Sequence, residues 1–453
     1  MTTAARPPDL AALAGARVLV LGLGRAGTAA ARFLLGAGAR VAGFDEDGSV
    51  LRGETVRELA RDGLTLTRRP GSAPADWVIA SPGISEEHPL VRRLAARGRA
   101  VIDELDFASR FVSGPVVAVT GTNGKSTTVA LVGEMLRAAG KRVFVGGNLA
   151  PGRPLSAALA LPRRDCYVVE VSSFQLERAR WFAPHVAVLL NITPDHMNRH
   201  RTMARYAASK FRILDRQAGT DWAVLNRDDP VVMRAAGRGR ARRRLFSMRR
   251  RVPGAYRRGG RIWYDGRPVA SEEDLRLPGR HNVANALAAV CVARALGIGN
   301  RAVRRALGRF RGLPHRLELV ARRRGVSYVN NSMCTNPAAG VASLRAFRRR
   351  VVLIAGGREK GMPAADYVAE MARRAKRVFL VGENRLRLAR QLARLGSRRH
   401  EACPDLATAV RAAGLAARTG DTVLFSPGFA SFDQYRDFEQ RGEAFRREVA
   451  RVR

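Results

Sequence analysis

The stretch at residues 115–128 restricts the possible folds of this chain more than any other feature. It reads Pro-Val-Val-Ala-Val-Thr-Gly-Thr-Asn-Gly-Lys-Ser-Thr-Thr, a β-branched run followed by a glycine-rich turn. A helical pattern comes next, with apolar residues such as Val129, Val132 and Met135 on one face. A strand that turns through glycines into a helix points backbone N–H groups and the positive end of the helix dipole at one place, which suits a phosphate. We therefore predict an α/β fold with a phosphate-binding loop here.

Two residues of this loop carry the expected chemistry. Lys125 is placed to reach the outer phosphates of a nucleotide, and the hydroxyl of Ser126 to hold Mg²⁺. The complete phosphate-loop pattern begins with a glycine at the position where this chain has Val119. Because of this missing glycine, an ordinary strand-to-helix turn is the alternative interpretation. We nevertheless expect the loop to bind a nucleoside triphosphate.

Length and cysteine usage indicate the class of protein. A chain of 453 residues is too long for one hydrophobic core, so about two or three domains are expected. The four cysteines are scattered without paired spacing, which argues against a disulfide framework or zinc ribbon and fits a reducing cytoplasm. No apolar run approaches the ~20 residues that cross a bilayer. We expect a cytoplasmic protein without a transmembrane segment.

The formal net charge of +41 comes almost entirely from arginine, because only five of the 80 basic residues are lysine. Such a charge attracts nucleotides, nucleic acids and anionic membranes, although the arginine skew looks like a compositional bias. Where guanidinium replaces ammonium nearly everywhere, a retained lysine indicates a place where guanidinium would not serve. The lysines are Lys125, Lys141, Lys210, Lys360 and Lys376.

A second glycine turn lies near the start of the chain. The strand Val18–Leu21 is followed by Gly22-Leu23-Gly24-Arg25-Ala26-Gly27, then by a helix and a strand that ends at Asp45. This is the dinucleotide-binding pattern in its strand–helix context, and it predicts a nucleotide-type ligand bonded at Asp45. An NAD-dependent enzyme is one alternative. The strand at 77–80 ends in Ser81-Pro82-Gly83, which is either a ligand-binding loop or a plain turn.

Charged residues follow the later strands. Glu170 ends a strand beside the phosphate loop, where a carboxylate suits Mg²⁺, and a helix-capping acid is the alternative. Asp195 and His196 follow the strand at 186–190, again at the ligand edge of the sheet. Lys210 lies on an amphipathic helix, where a solvated lysine would be ordinary, but the scarcity of lysine singles it out.

The region 234–261 is crowded with arginine and interrupted by Phe246 and Tyr256. Basic and aromatic residues in alternation can stack nucleic acid. A solvated β-hairpin region in a compositionally biased chain is the preferred interpretation, so we expect no specific nucleic-acid partner.

A long apolar helix at 283–296 follows Asn282. Asn282 and Asn285 are either helix caps or contacts to a nucleotide base. A last domain starts at about residue 314 and alternates helices with three strands, which indicates a second doubly wound sheet. Its predicted strands are 351–355, 378–381 and 422–425.

The order of these motifs resembles the Mur ligase family along nearly the whole chain. The matching stretches are Thr120-Gly121-Thr122-Asn123-Gly124-Lys125-Ser126-Thr127, Glu170-Val171-Ser172-Ser173-Phe174-Gln175-Leu176, Asp195-His196-Met197 and Gly312-Leu313-Pro314-His315-Arg316. The ending Asp437-Phe438-Glu439-Gln440-Arg441-Gly442 points to the glutamate-adding branch. The resemblance implies a Rossmann-like UDP-binding domain at 1–113, a central P-loop ATPase-type domain at 114–313, and a Rossmann-like amino-acid-binding domain at 314–453.

The activity implied by the resemblance is ATP-dependent addition of D-glutamate to UDP-N-acetylmuramoyl-L-alanine, in peptidoglycan-precursor synthesis. The acceptor carboxylate takes the γ-phosphate of ATP to give an acyl phosphate, which the amine of glutamate then displaces. Two Mg²⁺ ions neutralise the crowded oxygens, and the protein is expected to be a monomer with small-molecule substrates. The alternatives are L-glutamate or another amino acid, a folylpolyglutamate synthetase, or an inactive anion-binding scaffold.

The resemblance also implies roles for individual residues. The catalytic set is Lys125, Glu170, His196 and Lys210, and the magnesium ligands are Ser126, Glu170, His196 and a carbamylated Lys210. The ATP contacts are Gly121, Thr122, Asn123, Gly124, Lys125, Ser126, Thr127, Asn282, Arg316 and Asn331. The UDP-sugar contacts are Gly22, Gly24, Gly27, Asp45, Ser81, Pro82, Gly83, Asn148, Gln175 and His196. The glutamate contacts are Thr335, Lys360, Ser431 and Phe438.

One stretch departs from the family pattern. Where the family reads Asp-Ser-Lys-Ala-Thr-Asn, this chain reads Asn331-Ser332-Met333-Cys334-Thr335-Asn336. Asn331 removes a negative charge expected near ATP, and Met333 removes an ammonium expected near the glutamate carboxylates. The loop after Asn148 also lacks the usual glycine, which weakens the expected sugar contacts there.

Overall fold

The computed structural model describes residues 10–149, 152–277, 279–347, 349–359 and 361–452. The chain forms two compact units, Met1–Phe310 and Arg311–Arg453. The first unit contains a five-stranded and a nine-stranded sheet, and the second contains a six-stranded sheet. Helices alternate with mainly parallel strands in all three, which confirms the predicted α/β class. Within the described residues, no helix combines the length and hydropathy of a membrane span.

The N-terminal sheet consists of β1 (Arg17–Leu21), β2 (Arg40–Phe44), β3 (Thr65–Leu66), β4 (Trp77–Ala80) and β5 (Val101–Asp103). These strands are parallel and lie in the order β3-β2-β1-β4-β5. The helices are α1 (Arg25–Gly36), α2 (Gly48–Leu51), α3 (Glu54–Arg61), α4 (Pro89–Ala96) and α5 (Glu104–Ala108), with a 3-10 turn at Ala11–Leu13. The strand order changes direction at β1, and such sheets bind ligands beside that point, at the carboxyl ends of the strands.

The central sheet has nine strands. They are β6 (Val116–Thr120), β7 (Val143–Gly147), β8 (Cys166–Glu170), β9 (Val186–Leu189), β10 (Trp222–Asn226), β11 (Arg242–Ser247), β12 (Gly254–Arg258), β13 (Arg261–Tyr264) and β14 (Arg267–Ser271). Their order is β14-β13-β12-β11-β10-β9-β6-β8-β7. Every residue of β6 is buried, because parallel strands with helices on both faces read as continuous apolar runs.

The helices of this sheet all follow the phosphate loop in the sequence. They are α6 (Lys125–Ala138), α7 (Ser173–Glu177), α8 (Met197–His200), α9 (Met203–Phe211), α10 (Pro230–Met233), α11 (Arg280–Ala295) and α12 (Asn300–Arg309), with 3-10 turns at Leu155–Ala158, Arg212–Leu214 and Glu272–Asp274. Helix α6 starts directly after the predicted loop, so the strand–loop–helix prediction is confirmed.

The arginine-rich region extends the central sheet. β12 and β13 form an antiparallel hairpin, which confirms the predicted hairpin. Several arginines there bind backbone rather than solvent: Arg243 donates to the carbonyl oxygens of Ala236 and Ala241 at 2.8 and 2.6 Å. Part of the basic composition is therefore structural.

The sheet of the second unit consists of β15 (Glu318–Arg323), β16 (Val326–Asn330), β17 (Val351–Ala355), β18 (Ala375–Leu380), β19 (His400–Ala402) and β20 (Thr422–Phe425). Its order is β15-β16-β20-β17-β18-β19, with only β15 antiparallel to its neighbour. The helices are α13 (Pro337–Arg345), α14 (Ala365–Arg374), α15 (Arg385–Arg394), α16 (Leu406–Ala416) and α17 (Phe438–Arg451). Apolar clusters cover both faces of this sheet.

Candidate active site

The phosphate loop packs against the start of α11. Gly124 is left-handed, with φ 86°, and an added Cβ there would lie 2.3 Å from Oδ1 of Asn285. A side chain at this position would therefore push the loop off the helix. The amide of Asn285 donates to Oδ1 of Asn282 at 3.2 Å. Asn285 therefore contacts the loop, and it is bonded to the predicted ATP contact Asn282.

Asn191, which follows β9, also fixes the phosphate loop through its side chain. The backbone N–H of Asn123 donates to Oδ1 of Asn191 at 2.8 Å, and the Asn191 amide donates to the carbonyl oxygen of Asn123 at 3.0 Å. Thr122 bonds the phenol of Tyr206 at 3.1 Å. Lys125 Nζ donates to the carbonyl oxygens of Gly121 and Thr122 at 3.1 and 2.9 Å, so its ammonium lies within the loop.

Ser126 and Glu170 meet beside this loop. The hydroxyl of Ser126 donates to Oε2 of Glu170 at 2.6 Å, and the amide of Asn148 donates to Oε1 at 3.3 Å. Ser126 and Glu170 are only 5% and 4% exposed. A hydroxyl and a carboxylate are the hard oxygen donors that Mg²⁺ uses together with phosphates and water. The predicted pair is therefore brought together, and its donors fit magnesium.

No group of three or more His, Cys, Asp or Glu side chains with metal-binding geometry occurs in the described part of the chain. In nucleotide sites, Mg²⁺ is usually held by one or two carboxylates together with the substrate phosphates. A purely protein-built cage is thus not what these residues form.

His196 lies at the same edge of the sheet. Its φ of 55° is left-handed, and its backbone N–H donates to Oδ1 of Asp195 at 2.9 Å. The ring packs edge-on against Phe174, with centroids 4.9 Å apart. Burial lowers the pKa of His196, while Asp195 opposes the shift. The imidazole is therefore neutral at pH 7 and has a nitrogen lone pair available.

Lys210 is almost completely buried under the phosphate loop, at 2% exposure. Its Nζ donates to the carbonyl oxygen of Gly121 at 2.9 Å and lies 3.4 Å from the hydroxyl of Thr120. Burial, and then the charge of Lys125, lower the pKa of Lys210 from 10.5 to about 7. About half of this amine is consequently uncharged at neutral pH. An uncharged amine is a nucleophile, which a solvated lysine at pH 7 is not.

The predicted UDP contacts of the N-terminal domain, which are Gly22, Gly24, Gly27, Asp45, Ser81, Pro82 and Gly83, follow the carboxyl ends of β1, β2 and β4. The turn after β1 is tight: a Cβ on Gly27 would lie 1.8 Å from the carbonyl oxygen of Gly22. The carboxylate of Asp45 accepts hydrogen bonds from the backbone of Leu23 at 2.7 Å and of Asp47 at 2.9 Å. Asp45 therefore fixes the glycine turn.

The loop after β4 reaches the same place. A Cβ on Gly22 would lie 2.7 Å from Cβ of Ser81, so the two predicted UDP-binding segments touch. At the sugar end, Gln175 closes the N-terminus of α7, because its Oε1 accepts from the backbone N–H of Ser172 at 3.0 Å. The amide of Asn148, another predicted sugar contact, donates to the carboxylate of Glu170.

In the second unit, a buried arginine ties the predicted glutamate segments together. Arg441 is 3% exposed and donates to the carbonyl oxygens of Ser332 at 2.9 Å and Ala430 at 3.0 Å. The hydroxyl of Ser332 donates to the carbonyl oxygen of Phe438 at 2.7 Å. The segments that carry Ser431 and Phe438 are thus adjacent. Thr335 is half-buried, Arg316 is exposed, and Lys360 lies outside the described residues.

Three family models match successive parts of the chain. They are the Mur ligase MurD-like N-terminal domain at residues 16–103, the Mur ligase middle domain at 119–293, and the Mur ligase glutamate ligase domain at 315–429. The UDP-N-acetylmuramoylalanine–D-glutamate ligase of Anaeromyxobacter dehalogenans is 43% identical over 458 residues, covering 96% of this chain and 97% of that protein. This chain belongs to the Mur ligase family.

A second relative agrees. The UDP-N-acetylmuramoylalanine–D-glutamate ligase of Caldanaerobacter subterraneus subsp. tengcongensis is 37% identical over 447 residues, covering 96% of this chain and 98% of that protein. The predicted family is thereby confirmed.

Solved structures of Mur ligases share the fold. UDP-N-acetylmuramate–alanine ligase from Thermotoga maritima gives a TM-score of 0.57 at 18% identity, covering 97% of this chain and 100% of that chain. MurF ligase from Thermotoga maritima, in complex with ADP, gives 0.56 at 18% identity, covering 98% and 97%. At this identity the likeness concerns architecture alone, and it agrees with the predicted three-domain α/β organisation of a Mur ligase.

The departure at Asn331 is accommodated in this Mur ligase by neutral partners. The buried Asn331 amide donates to the hydroxyls of Ser343 and Ser426 at 2.7 and 3.1 Å, and its Oδ1 accepts from the backbone of Leu317 at 3.1 Å. The hydroxyl of Ser343 is itself committed to the carbonyl oxygen of Ala339 at 2.7 Å. Both ends of the amide are satisfied, so the missing charge leaves no unpaired group here.

Sequence reasoning missed three residues that shape the sites of this Mur ligase. Asn191 had a usable signal, since it lies two residues after the end of β9, at the ligand edge of the sheet. Arg441 lies inside the ending that pointed to the family, but nothing local indicates that it is buried. Arg178 is 2% exposed and donates to the carbonyl oxygens of Ser81 and Ile84 at 2.7 and 2.5 Å; one more arginine in an arginine-rich chain carries no such signal.

Proposed function

We propose that this Mur ligase joins D-glutamate to UDP-N-acetylmuramoyl-L-alanine in an ATP-dependent reaction of peptidoglycan-precursor synthesis. The observation that carries the proposal is the near full-length similarity, at 37–43% identity, to proteins named UDP-N-acetylmuramoylalanine–D-glutamate ligase. The site geometry supports a ligase that activates a carboxylate with ATP. A C–N bond is formed, and ATP gives ADP and phosphate.

The phosphate loop supplies the positioning that this reaction needs. The acceptor carboxylate attacks the γ-phosphorus, the bond to the β–γ bridging oxygen breaks, and an acyl phosphate results. Phosphoryl transfer depends mainly on alignment and charge neutralisation, which the backbone N–H groups of residues 121–127 and the Lys125 ammonium provide. Asn282, Arg316 and Asn331 complete the proposed ATP contacts.

Ser126 and Glu170 would hold a first Mg²⁺, and His196 with a carbamylated Lys210 a second. When bound, magnesium neutralises phosphate oxygens. The support for the carbamate is the half-uncharged amine of Lys210. Its nitrogen bonds to the carbon of CO₂, one C–O π pair moves to oxygen, and the amine loses a proton. The product is an oxygen anion where the free amine was a nitrogen donor, which suits a hard cation.

The substrates are assigned to the domains proposed at 1–113, 114–313 and 314–453. The UDP-sugar contacts are proposed as Gly22, Gly24, Gly27, Asp45, Ser81, Pro82, Gly83, Asn148, Gln175 and His196. The glutamate contacts are proposed as Thr335, Lys360, Ser431 and Phe438. We propose that the protein acts as a cytoplasmic monomer on these small-molecule substrates.

Met333 replaces an ammonium of the family pattern, which favours testing L-glutamate as a second candidate. A glutamate dianion still needs a fixed cation, and Lys360 is the proposed one.

The experiment is an amino-acid-dependent phosphate-release assay on the purified protein. ATP and UDP-N-acetylmuramoyl-L-alanine are supplied with D-glutamate, L-glutamate or other amino acids in parallel, and the Lys125→Ala variant is the matched inactive control. We expect release with D-glutamate only when the UDP-sugar is present. Release with L-glutamate instead would correct the stereochemistry, and no release with any amino acid would refute the ligase.

A further inference from the structure

Arg199 connects the UDP-sugar loop to the segment that carries His196. It lies on the one-turn helix α8, three residues after His196. Its Nη1 donates to the carbonyl oxygen of Pro82 at 3.1 Å and lies 3.5 Å from that of Gly83. These carbonyls belong to the proposed UDP-sugar loop of the N-terminal domain. One side chain therefore joins two substrate-facing segments that are distant in sequence.

The guanidinium of Arg199 is fixed from its other side. Its Nη2 and Nε donate to Oε2 of Glu177 at 2.7 and 3.2 Å, and its central carbon lies 4.1 Å from the ring centre of Phe174. Only 14% of the Arg199 side chain is exposed. A planar fork can satisfy a carboxylate, a carbonyl and an aromatic face together, whereas an ammonium cannot.

The short helix that carries Arg199 starts and ends at strained residues. His196 and Arg201 both have left-handed backbones, with φ of 55° and 63°, which is unfavourable for side-chain-bearing residues. Such conformations persist only where the surroundings impose them. His200, in the same turn, bonds the hydroxyl of Ser173 at 2.9 Å. The position of His196 thus depends on the contacts of the residues that follow it.

We infer that Arg199 is a positioning residue that couples the occupancy of the Ser81–Gly83 loop to the placement of His196. A sugar nucleotide bound at this loop fixes the carbonyls of Pro82 and Gly83. Those carbonyls accept hydrogen bonds from the guanidinium of Arg199. Arg199 in turn fixes the helical turn that begins after His196. The placement of His196 then depends on whether UDP-N-acetylmuramoyl-L-alanine is bound, a coupling that rests on the proposed function.

A second arginine bonds the same loop but has a different role. Arg178 also binds the Ser81 carbonyl, yet it is buried and lies 3.8 Å from the buried carboxylate of Asp103. Removing it would leave a charge unpaired in the interior, which destabilises proteins strongly. Arg199 is the better residue for a test because its partner Glu177 is partly exposed, so the carboxylate left behind can be solvated.

The first test compares Arg199→Lys and Arg199→Gln with Arg201→Gln. Arg201 lies in the same turn and also forms a bond to the N-terminal domain, to Glu87 at 2.6 Å, but its side chain is 64% exposed. For both Arg199 variants we expect the KM for UDP-N-acetylmuramoyl-L-alanine to rise at least about tenfold, the factor typical of a lost charge-assisted hydrogen bond. In the Arg199 variants, the affinity for ADP, measured by titration calorimetry, should stay within about twofold of the parent value. In Arg201→Gln, both the KM for the acceptor and the affinity for ADP should stay within about twofold of the parent values.

The second test needs no turnover, so it separates failure of this inference from failure of the proposed function. Diethyl pyrocarbonate modifies neutral imidazoles, and mass spectrometry reads the rate at His196 alone. In the parent protein, UDP-N-acetylmuramoyl-L-alanine should slow this rate at least about fivefold, and in Arg199→Lys at saturating acceptor the slowing should be lost. A merely structural role of Arg199 would change unfolding temperature only. Equal protection of His196 in parent and variant, or an unchanged KM, overturns the inference.

Discussion

Replacing Lys210 with methionine is a direct test of the electrostatics of the site. The lowering of its pKa from 10.5 to about 7 means that the folded protein is penalised for protonating this amine. At about 1.4 kcal/mol per pH unit, the penalty at pH 7 is about 4 kcal/mol. The variant removes it but leaves the Gly121 carbonyl without the donor at 2.9 Å, which costs about 1–3 kcal/mol. We expect Lys210→Met to stabilise the ligand-free protein by about 1–3 kcal/mol at pH 7.

The pH dependence gives the sign of this effect independently. Between about pH 7 and 10.5 the unfolded chain binds more protons at Lys210 than the folded one, so the parent gains stability as pH rises. The advantage of Lys210→Met should therefore be largest at and below pH 7 and should shrink, then reverse, toward pH 10. The exposed Lys141 provides the control, because Lys141→Met makes the same replacement of an ammonium by a thioether but leaves the buried amine of Lys210 in place.

The assay is urea unfolding in CO₂-free buffer at about pH 6.5 and about pH 9.5, with the ligase assay alongside. Turnover of Lys210→Met should be abolished at both values, because a thioether cannot form a carbamate. Because the chain has few lysines, ¹³C-lysine NMR resolves the titration directly, with the Lys210 signal assigned by its loss in the variant. A stability difference that does not change with pH, or a Lys210 signal that titrates near 10.5, would refute the reasoning.

Three further changes test other parts of the molecule. Gly27→Ala should destabilise the N-terminal domain by at least about 2 kcal/mol, seen in urea unfolding, because its Cβ would collide with the carbonyl of Gly22. Glu170→Gln should lower kcat at least about a hundredfold and raise the magnesium concentration for half-activity, since Ser126 alone is a poor ligand. Met333→Lys should lower the KM for D-glutamate about tenfold by restoring a charge-assisted bond, and an unchanged KM would show that another cation already serves the carboxylates.

The sequence predicted the fold best where parallel strands are buried on both faces. β4 and β20 have the predicted bounds because Trp77–Ala80 and Thr422–Phe425 are unbroken apolar or β-branched runs between turns. β15 was not predicted. Its sequence ends in Arg322 and Arg323, and as an antiparallel edge strand it buries little, so neither alternation nor a continuous apolar run marks it.

The sequence likewise indicated some residues of the candidate site and not others. The family resemblance paired Ser126 with Glu170, and the structure brings the two together because β6 lies beside β8 and the carboxyl ends of neighbouring parallel strands meet at one edge. Asn285, Arg178 and Arg441 act instead through contacts with segments far away in sequence. Their partners are mostly backbone carbonyls or a glycine, which have no recognisable sequence signature.

The two departures in the 331–336 stretch are best explained together. The family pattern has a negative and a positive residue where this chain has Asn331 and Met333, so both charges are lost and the net charge of the stretch does not change. A carboxylate at 331 would face the hydroxyl of Ser343, which already donates to a backbone carbonyl, so the neutral amide fits its surroundings better than the acid. Buried Arg441 remains, with a pKa lowered by burial to about 10, and it donates to the hydroxyl of Ser332 and to the carbonyl oxygens of Ser332, Phe429 and Ala430. The stretch therefore keeps its backbone framework without the charged pair, and in the proposed function Lys360, on another segment, supplies the cation for the glutamate carboxylates.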